Sequence, residues 1–183
     1  MNIILSGGGS AGHINPAIAI AKYFENHYEN VNILFIGTKT GMENELVKKA
    51  GYKLLQIDVE GFKTSLSFKN LKPLTKFILS AIKMKKIIRK FKADIVIGTG
   101  GYVCAPAVAA ANAMKIPTLI HEQNVYPGSA IRFLAKNTTV TAISFDESRK
   151  YLSGAKNVVL TGNPVRESII NADREKARAE LNI

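Results

Sequence analysis

The sequence is poor in the residues that mark several common protein classes. It has one cysteine, no tryptophan and three histidines among 183 residues. A single cysteine, Cys104, excludes an intrachain disulfide and a cysteine-cluster metal site, and it is typical of a reducing compartment. No apolar run approaches the roughly 20 residues that a membrane-spanning helix needs, and no basic region precedes the first apolar run as in a signal peptide. We therefore expect one soluble domain with a buried free thiol.

Acidic side chains are missing from one stretch of an otherwise mixed sequence. The formal net charge is +11, from 25 lysines and arginines against 14 aspartates and glutamates. Residues 66–92 hold nine basic side chains and no acidic one, so nearly all of the excess charge is local. A charge that is concentrated in this way indicates a dedicated surface rather than a general adjustment of solubility.

The basic stretch is predicted to form a helix over residues 70–91. At about 100° per residue, most of its lysines fall on one face. The opposite face is expected to pack on the core through Leu74, Phe77, Ile78, Ala81 and Ile88.

Leu79 lies among the lysines, where packing does not need an apolar side chain. Together with apolar residues of the preceding loop, it is suited to enter a bilayer while the lysines hold anionic head groups of the inner leaflet. The predicted membrane surface comprises Phe62, Leu66, Lys72, Lys76, Leu79, Lys83 and Lys86. A solvated basic helix is the alternative. Nucleic acid is not the expected partner, because no aromatic side chains alternate with the lysines and no nucleic-acid motif is present.

Short apolar strands alternate with helices along the whole chain. This order predicts an α/β fold with a parallel, Rossmann-like sheet covered by helices on both faces. Every unusual motif follows a strand, and ligands of such sheets bind beyond the carboxyl ends of the strands. We therefore expect four loops to meet at one edge of the sheet: 7–13, 98–102, 121–124 and 162–166.

The first of these loops has glycine at 7, 8, 9 and 12, between the strand Ile3–Leu5 and a helix that is expected to begin near His13. Glycines allow close backbone approach to a ligand, and the start of a helix favours an anion. The loop matches the dinucleotide fingerprint, but no acidic residue ends the second strand to bind a ribose hydroxyl. Lys39 at that position leaves NADP, and so an oxidoreductase, as a rival hypothesis.

The other loops each have a structural and a functional interpretation. Gly98–Tyr102 is either a tight turn or a second set of N–H donors, which would suit a diphosphate. In residues 121–124 the sequence His-Glu-Gln-Asn favours contacts with a ligand or another domain over bracing of the loop, and the amide of Asn124 suits sugar hydroxyls. Arg166 is either a phosphate clamp or part of a surface ion pair. His13 is either a general base or a helix-start residue that bonds to backbone.

In combination, the motifs resemble those of the MurG family of bacterial glycosyltransferases. The match runs from residue 2 to about residue 168 in order and spacing, through Gly8–Pro16, Gly98–Tyr102, His121–Asn124 and Gly162–Arg166. Members of this family transfer N-acetylglucosamine from UDP-N-acetylglucosamine to the C4 hydroxyl of undecaprenyl-diphospho-muramyl-pentapeptide, with inversion. The resemblance implies the amino-terminal, acceptor-side half of a glycosyltransferase-B fold that acts in peptidoglycan synthesis at the cytoplasmic face of the membrane. The first loop departs mildly from the family pattern, since Ala11 stands where a glycine is common.

The resemblance also implies roles for individual residues, with no cofactor and no metal ion. His13 would be the catalytic base. The predicted contacts with UDP-N-acetylglucosamine are Ser10, Ala11, Gly12, Asn124 and Arg166. The predicted contacts with the acceptor diphosphate are Gly8, Gly9, Gly100, Gly101 and Tyr102.

Two parts of the chain are expected from these motifs. Residues 1–166 form the acceptor-side domain, and residues 167–183 form a helical linker towards a donor-binding domain that the sequence does not contain. We therefore expect the chain alone to be inactive. A membrane-surface module without enzymatic activity is the remaining alternative.

Overall fold

The computed structural model describes residues 1–61 and 71–183, and it forms one parallel sheet of seven strands with helices on both faces. The strands are β1 (Asn2–Gly7), β2 (Asn32–Gly37), β3 (Lys53–Gln56), β4 (Ile95–Gly100), β5 (Thr118–Glu122), β6 (Val140–Ile143) and β7 (Val158–Leu160). Their spatial order is β3-β2-β1-β4-β5-β6-β7. The predicted α/β class and parallel sheet are confirmed.

Within residues 1–61 and 71–183, seven α-helices connect or follow the strands. They are α1 (Ala11–His27), α2 (Glu43–Lys49), α3 (Leu71–Phe91), α4 (Cys104–Ala113), α5 (Ser129–Leu134), α6 (Glu167–Ile170) and α7 (Arg174–Leu181). A 3-10 helix, Asp146–Tyr151, lies between β6 and β7. No helix of the described ranges is long and apolar enough to cross a bilayer.

The side chains of β1 point alternately to the two faces of the sheet, and the core accordingly has two layers. Ile3 and Leu5 pack with residues of α1 and α2 on one face, whereas Ile4 packs with residues of α3 and α4 on the other. Successive side chains of a strand point to opposite faces, so a continuous apolar strand has to be covered on both sides. Cys104 lies in the second layer and is fully buried, as predicted.

The strand order reverses between β1 and β4, which makes this the switch point of the sheet. β2 and β3 extend from β1 in one direction, and β4 to β7 extend in the other. The loops that follow β1 and β4 therefore leave the sheet side by side, at the position where ligands bind in open α/β sheets.

Helix α3 presents a different face to the core from the one predicted. Its buried residues are Pro73, Ser80, Met84 and Ile88. Leu74 and Ile78, which were expected in the core, are 45% and 49% exposed, and Ala81 is partly buried. The prediction was wrong for Leu74 and Ile78, because the helix carries a second apolar arc, but Ile88 is buried and Phe77 packs on the core as predicted. The hydroxyl of Ser80 is buried and donates to the Asp58 carbonyl at 2.7 Å.

Candidate functional site

Two glycine-rich turns meet at the switch point, and His13 lies between them. The ring of His13 packs against Gly100 and Gly101, because a Cβ atom on Gly100 would lie 2.5 Å from the Nδ1 atom of His13. A Cβ atom on Gly101 would overlap the carbonyl oxygen of Gly8. Both Gly100 and Gly101 also have positive φ, so only glycine fits this crossing of two backbones without strain.

The third predicted loop joins the same cluster. Gln123 follows β5, and its Oε1 atom lies 3.1 Å from the Nδ1 atom of His13. Its Nε2 atom donates to the carbonyl of Thr99 at 2.7 Å and lies 3.0 Å from the Nδ1 atom of His121. The loops after β1, β4 and β5 therefore converge, as the sequence predicted.

The fourth loop joins the cluster at its start only. The Nε2 atom of His121 lies 3.0 Å from the carbonyl oxygen of Gly162. Arg166, in contrast, precedes α6, where Glu167 accepts a hydrogen bond from Asn26 at 2.8 Å. Asn26 lies in the last turn of α1 and His13 in the first, which puts them about 20 Å apart at 1.5 Å per residue. The structure thus does not bring Arg166 to His13, and the donor contact of Arg166 stays a prediction.

Most of the polar side chains at 121–124 brace the loop itself. The buried Glu122 accepts hydrogen bonds from the backbone and side-chain nitrogens of Asn124, both at 2.9 Å, and from the Gly128 amide at 2.8 Å. His121 is buried as well, and this burial lowers its pKa despite the nearby Gly162 carbonyl and Glu122. His121 and Glu122 thus make hydrogen bonds within the protein, and contacts of this motif with a ligand or another domain stay a prediction. Asn124 faces the cleft described below while it donates to Glu122.

Glu43 supports the first glycine loop from behind, and no sequence motif pointed to this residue. Its carboxylate is fully buried at the start of α2. It accepts hydrogen bonds from the backbone and hydroxyl of Thr38, both at 2.7 Å, and from the Gly9 amide at 3.3 Å. Burial alone would raise the pKa of Glu43, but the bonds from Thr38 and Gly9 outweigh it and hold the pKa below its usual value.

The contact with Glu43 corrects one predicted role. Gly9 was expected to present its N–H to a diphosphate, but this N–H already donates to the Glu43 carboxylate. Gly8 is buried, whereas Ser10 and Gly12 are exposed in the loop and the first turn of α1. The predicted roles of Gly8, Ser10, Ala11 and Gly12 stay predictions.

A cleft of about 660 Å³ opens beside this cluster. Its polar end is formed by His13, Gly100, Gly101, Tyr102, Glu122 and Asn124. Its other end is mainly apolar, with Leu74 and Phe77 of α3 and Phe133 of α5, and the acidic Glu60 also lines the cleft. The rings of Phe77 and Phe133 are in edge-to-face contact with centroids 6.4 Å apart, and Phe133 remains 62% exposed. The cleft is thus suited to a ligand with a polar head and an apolar tail.

The predicted membrane surface is only partly as expected. Lys76 makes ion pairs with Asp58 at 2.8 Å and Glu60 at 2.6 Å, and Lys72 lies 3.5 Å from Glu60. Lys83 donates to the Gln56 carbonyl at 2.8 Å. These three lysines therefore contact the protein's own oxygen atoms, and their role as head-group contacts stays a prediction.

The remaining members of that predicted surface divide into two groups. Leu79 and Lys86 are exposed, as predicted. Phe62 and Leu66 lie outside the residues that the structure describes.

The exposed face of α3 is instead an apolar stripe followed by basic residues. We define the apolar stripe as Leu71, Leu74, Ile78, Leu79 and Ile82, all of which are exposed. Three of them, Leu74, Ile78 and Ile82, recur at helical spacing, and Lys85, Lys86 and Arg89 follow on the same side. Leu74 belongs to both the stripe and the cleft, so the two surfaces are continuous.

Comparisons with known proteins identify the family and support the fold. The model of the glycosyltransferase family 28 N-terminal domain matches residues 3–143. The chain is 46% identical to the UDP-N-acetylglucosamine–N-acetylmuramyl-(pentapeptide) pyrophosphoryl-undecaprenol N-acetylglucosamine transferase of Caldanaerobacter subterraneus, over 99% of the chain and 50% of that protein. It is equally identical to the transferase of the same name from Acetivibrio thermocellus, over 100% of the chain and 50% of that protein.

A solved structure is similar to the chain as well. The crystal structure of Acinetobacter baumannii MurG superimposes with a TM-score of 0.75 and 28% sequence identity, covering 94% of this chain and 50% of that one. The chain spans about half the length of the curated relatives it matches. The chain, through the domain that occupies residues 3–143, belongs to glycosyltransferase family 28.

Proposed function

We propose that this chain forms the acceptor-binding half of a transferase of peptidoglycan synthesis. The donor would be UDP-N-acetylglucosamine, and the acceptor would be an undecaprenyl-diphosphate-linked muramyl-pentapeptide. The observation that carries the proposal is the position of His13 between two glycine turns, at the polar end of a cleft whose other end is apolar. The acceptor has a polar sugar and diphosphate, which would match the polar end, and an apolar polyprenyl chain, which would match the apolar end.

The proposed reaction transfers the sugar in one step with inversion. The C4 hydroxyl of the muramyl sugar attacks the anomeric carbon of N-acetylglucosamine, the bond from that carbon to the diphosphate oxygen breaks, and UDP leaves. The hydroxyl proton passes to His13, which acts as the general base. Ser10, Ala11 and Gly12, at the first turn of α1, would line the junction of donor and acceptor. The amides near Gly8, Gly100 and Gly101 would bind the acceptor diphosphate, with Tyr102 beside them.

The full-length protein tests this function directly. We expect it to transfer labelled N-acetylglucosamine to a polyprenyl-diphospho-muramyl-pentapeptide. An acceptor with one phosphate in place of two should have a kcat/KM lower by about tenfold or more, because hydrogen bonds to the missing charge are lost. Transfer that is equal for the two acceptors would contradict a diphosphate site at the glycine turns. If the protein binds NADPH and transfers no sugar, the oxidoreductase alternative would be favoured.

We also propose that the apolar stripe of α3 rests on the membrane that holds the acceptor. The stripe leads into the apolar end of the cleft through Leu74, so a polyprenyl tail could pass from one to the other. Lys85, Lys86 and Arg89 follow on the same side and would meet anionic head groups at the cytoplasmic face. Attachment would then combine apolar insertion with charge, as in other amphipathic helices that lie in a bilayer surface.

Vesicle binding tests the membrane surface. The double substitution Ile78→Gln with Leu79→Gln should reduce partitioning of the chain onto phosphatidylglycerol vesicles by about tenfold or more. Each aliphatic side chain that is buried in the bilayer contributes roughly 1.5–3 kcal/mol to the free energy of partitioning. The matched control is the exposed pair in α6, Ile169→Gln with Ile170→Gln, which should leave partitioning unchanged. Co-sedimentation at several vesicle concentrations gives the partition constants. Equal binding by the stripe variant and the parent would contradict this orientation.

A further inference from the structure

The hydrogen bonds of Gln123 determine which way its amide faces. One terminal atom of this side chain lies 2.7 Å from the Thr99 carbonyl oxygen, which can only accept a hydrogen bond. That atom must therefore be the nitrogen, Nε2, and the other terminal atom must be the oxygen, Oε1. The oxygen faces the Nδ1 atom of His13 at 3.1 Å.

The hydrogen bonds of both ring nitrogens of the neighbouring His121 support the same orientation of the Gln123 amide. Its Nε2 atom lies 3.0 Å from the Gly162 carbonyl oxygen, so this nitrogen carries the proton and donates it. Its Nδ1 atom is then an acceptor, and Nε2 of Gln123 lies 3.0 Å away as the donor. Because His121 is almost fully buried, the neutral ring is the expected form. The backbone carbonyls of Thr99 and Gly162 thus determine which atom donates and which accepts in each hydrogen bond of this network.

The consequence for His13 is a single tautomer. Oε1 of Gln123 can only accept, so Nδ1 of His13 must carry a proton and donate it. The other nitrogen of the neutral ring, Nε2, is then left with a lone pair. Gly100 and Gly101 pack against the ring and restrict its rotation, so the orientation of this lone pair is restrained too.

We propose that Gln123 is a positioning residue that holds His13 in the Nδ1–H tautomer, so that Nε2 can accept the proton of the acceptor hydroxyl. The inference rests on the proposed role of His13 as the base. When Nε2 gains that proton, Nδ1 keeps its own, and Oε1 of Gln123 continues to accept from it. Within the described residues, the partner of Nδ1 of His13 is thus an amide oxygen rather than a carboxylate.

Nitrogen NMR of the ¹⁵N-labelled chain measures this tautomer without any assay of transfer. The chain has three histidines. Each ring can therefore be assigned from the signals that disappear when that histidine alone is replaced. In the parent at neutral pH, we expect His13 to be protonated mainly at Nδ1 and His121 mainly at Nε2. A parent in which the neutral ring of His13 carries its proton at Nε2 would overturn the proposal, with no need for a variant at Gln123.

The variant Gln123→Met keeps a similar volume and removes the acceptor. The Nδ1–H share of His13 should then fall, because nothing fixes the proton there. In Gln123→Glu a neutral carboxyl group can still donate to the Thr99 carbonyl and accept from Nδ1 of His13, so the Nδ1–H tautomer should be kept. An Nδ1–H share in Gln123→Met that equals the parent's would also overturn the proposal.

Kinetics of the full-length protein connect the tautomer with the reaction. Gln123→Met should lower kcat by about tenfold to a hundredfold and change KM for the acceptor by less than about threefold. In the His13→Ala background the same substitution should cause no further loss, because its effect acts through the ring of His13. A further loss in that background would show that Gln123 acts by another route. If the parent transfers no sugar at all, the proposed function fails, while the NMR result for the tautomer stands by itself.

Discussion

Replacing His13→Ala in the full-length protein should lower kcat by about 10²- to 10⁴-fold, which is the usual contribution of a general base. The alanine variant has no group that can take the proton from the attacking hydroxyl. KM for UDP-N-acetylglucosamine should stay within about threefold of the parent value, since the base interacts most strongly in the transition state. Steady-state transfer rates at saturating donor and acceptor measure both quantities.

The matched control for this prediction lies in the same helix. His27 is exposed in the last turn of α1 and stacks on Tyr23 with ring centroids 4.0 Å apart. His27→Ala should leave kcat unchanged. The melting temperatures of both variants should remain close to that of the parent. A His13→Ala variant that is folded and turns over at the parent rate would refute the assignment of the base.

The second large effect is expected for Gly101→Ala, which should lower the free energy of unfolding by about 2–5 kcal/mol. The added Cβ atom would overlap the Gly8 carbonyl oxygen, and repacking of a crowded site commonly costs roughly 1–3 kcal/mol. The positive φ of 74° adds strain of about 1–2 kcal/mol for a residue with a side chain. Since the two turns would have to separate, transfer by the full-length protein should also be lost. Urea denaturation measures the stability.

Gly51→Ala is the control that measures the backbone strain of a positive φ without any steric overlap of the added Cβ atom. Gly51 has a φ of 89°, and a Cβ atom there would meet no heavy atom within 4 Å. It follows α2 at a distance from the cleft, so the loss should be limited to about 1–2 kcal/mol of strain and transfer should be normal. If Gly101→Ala is no less stable than Gly51→Ala, the two backbones are not in close contact.

The order of strands and helices could be predicted from the sequence because it depends on local patterns. The alternation of short apolar strands with helices correctly predicted the parallel sheet, and the predicted strand Ile3–Leu5 lies within β1. The parallel sheet also explains why the loops at 7–13, 98–102 and 121–124 meet, since the carboxyl ends of parallel strands lie at one edge. These conclusions needed no knowledge of side-chain contacts.

The orientation of α3 could not be predicted in the same way. Two arcs of this helix are apolar enough to face the core, and its packing on α4 decides between them. The pairing of Lys76 with Asp58 and Glu60 depends equally on tertiary structure, because these acids come 16 to 18 residues earlier in the chain. Helical periodicity describes only the helix itself and cannot include such partners.

The position of Arg166 was beyond prediction for a related reason. The motif at 162–166 follows β7, and its first residue does reach the site through the Gly162 carbonyl. The next few residues then lead to α6, whose first residue contacts the far end of α1. A sequence motif gives the place where a loop starts, whereas the direction it takes depends on what it packs against.

The buried contact between Glu43 and the Gly9 amide has a consequence for recognition. A turn rich in glycine is normally the most mobile part of a strand-to-helix junction, and a ligand that has to immobilise it loses affinity. Here an internal carboxylate already holds the turn in shape from the protein side. If the turn binds an anion as proposed, that anion would meet a preorganised receptor, and the entropy of ordering the turn would be lost during folding rather than on binding.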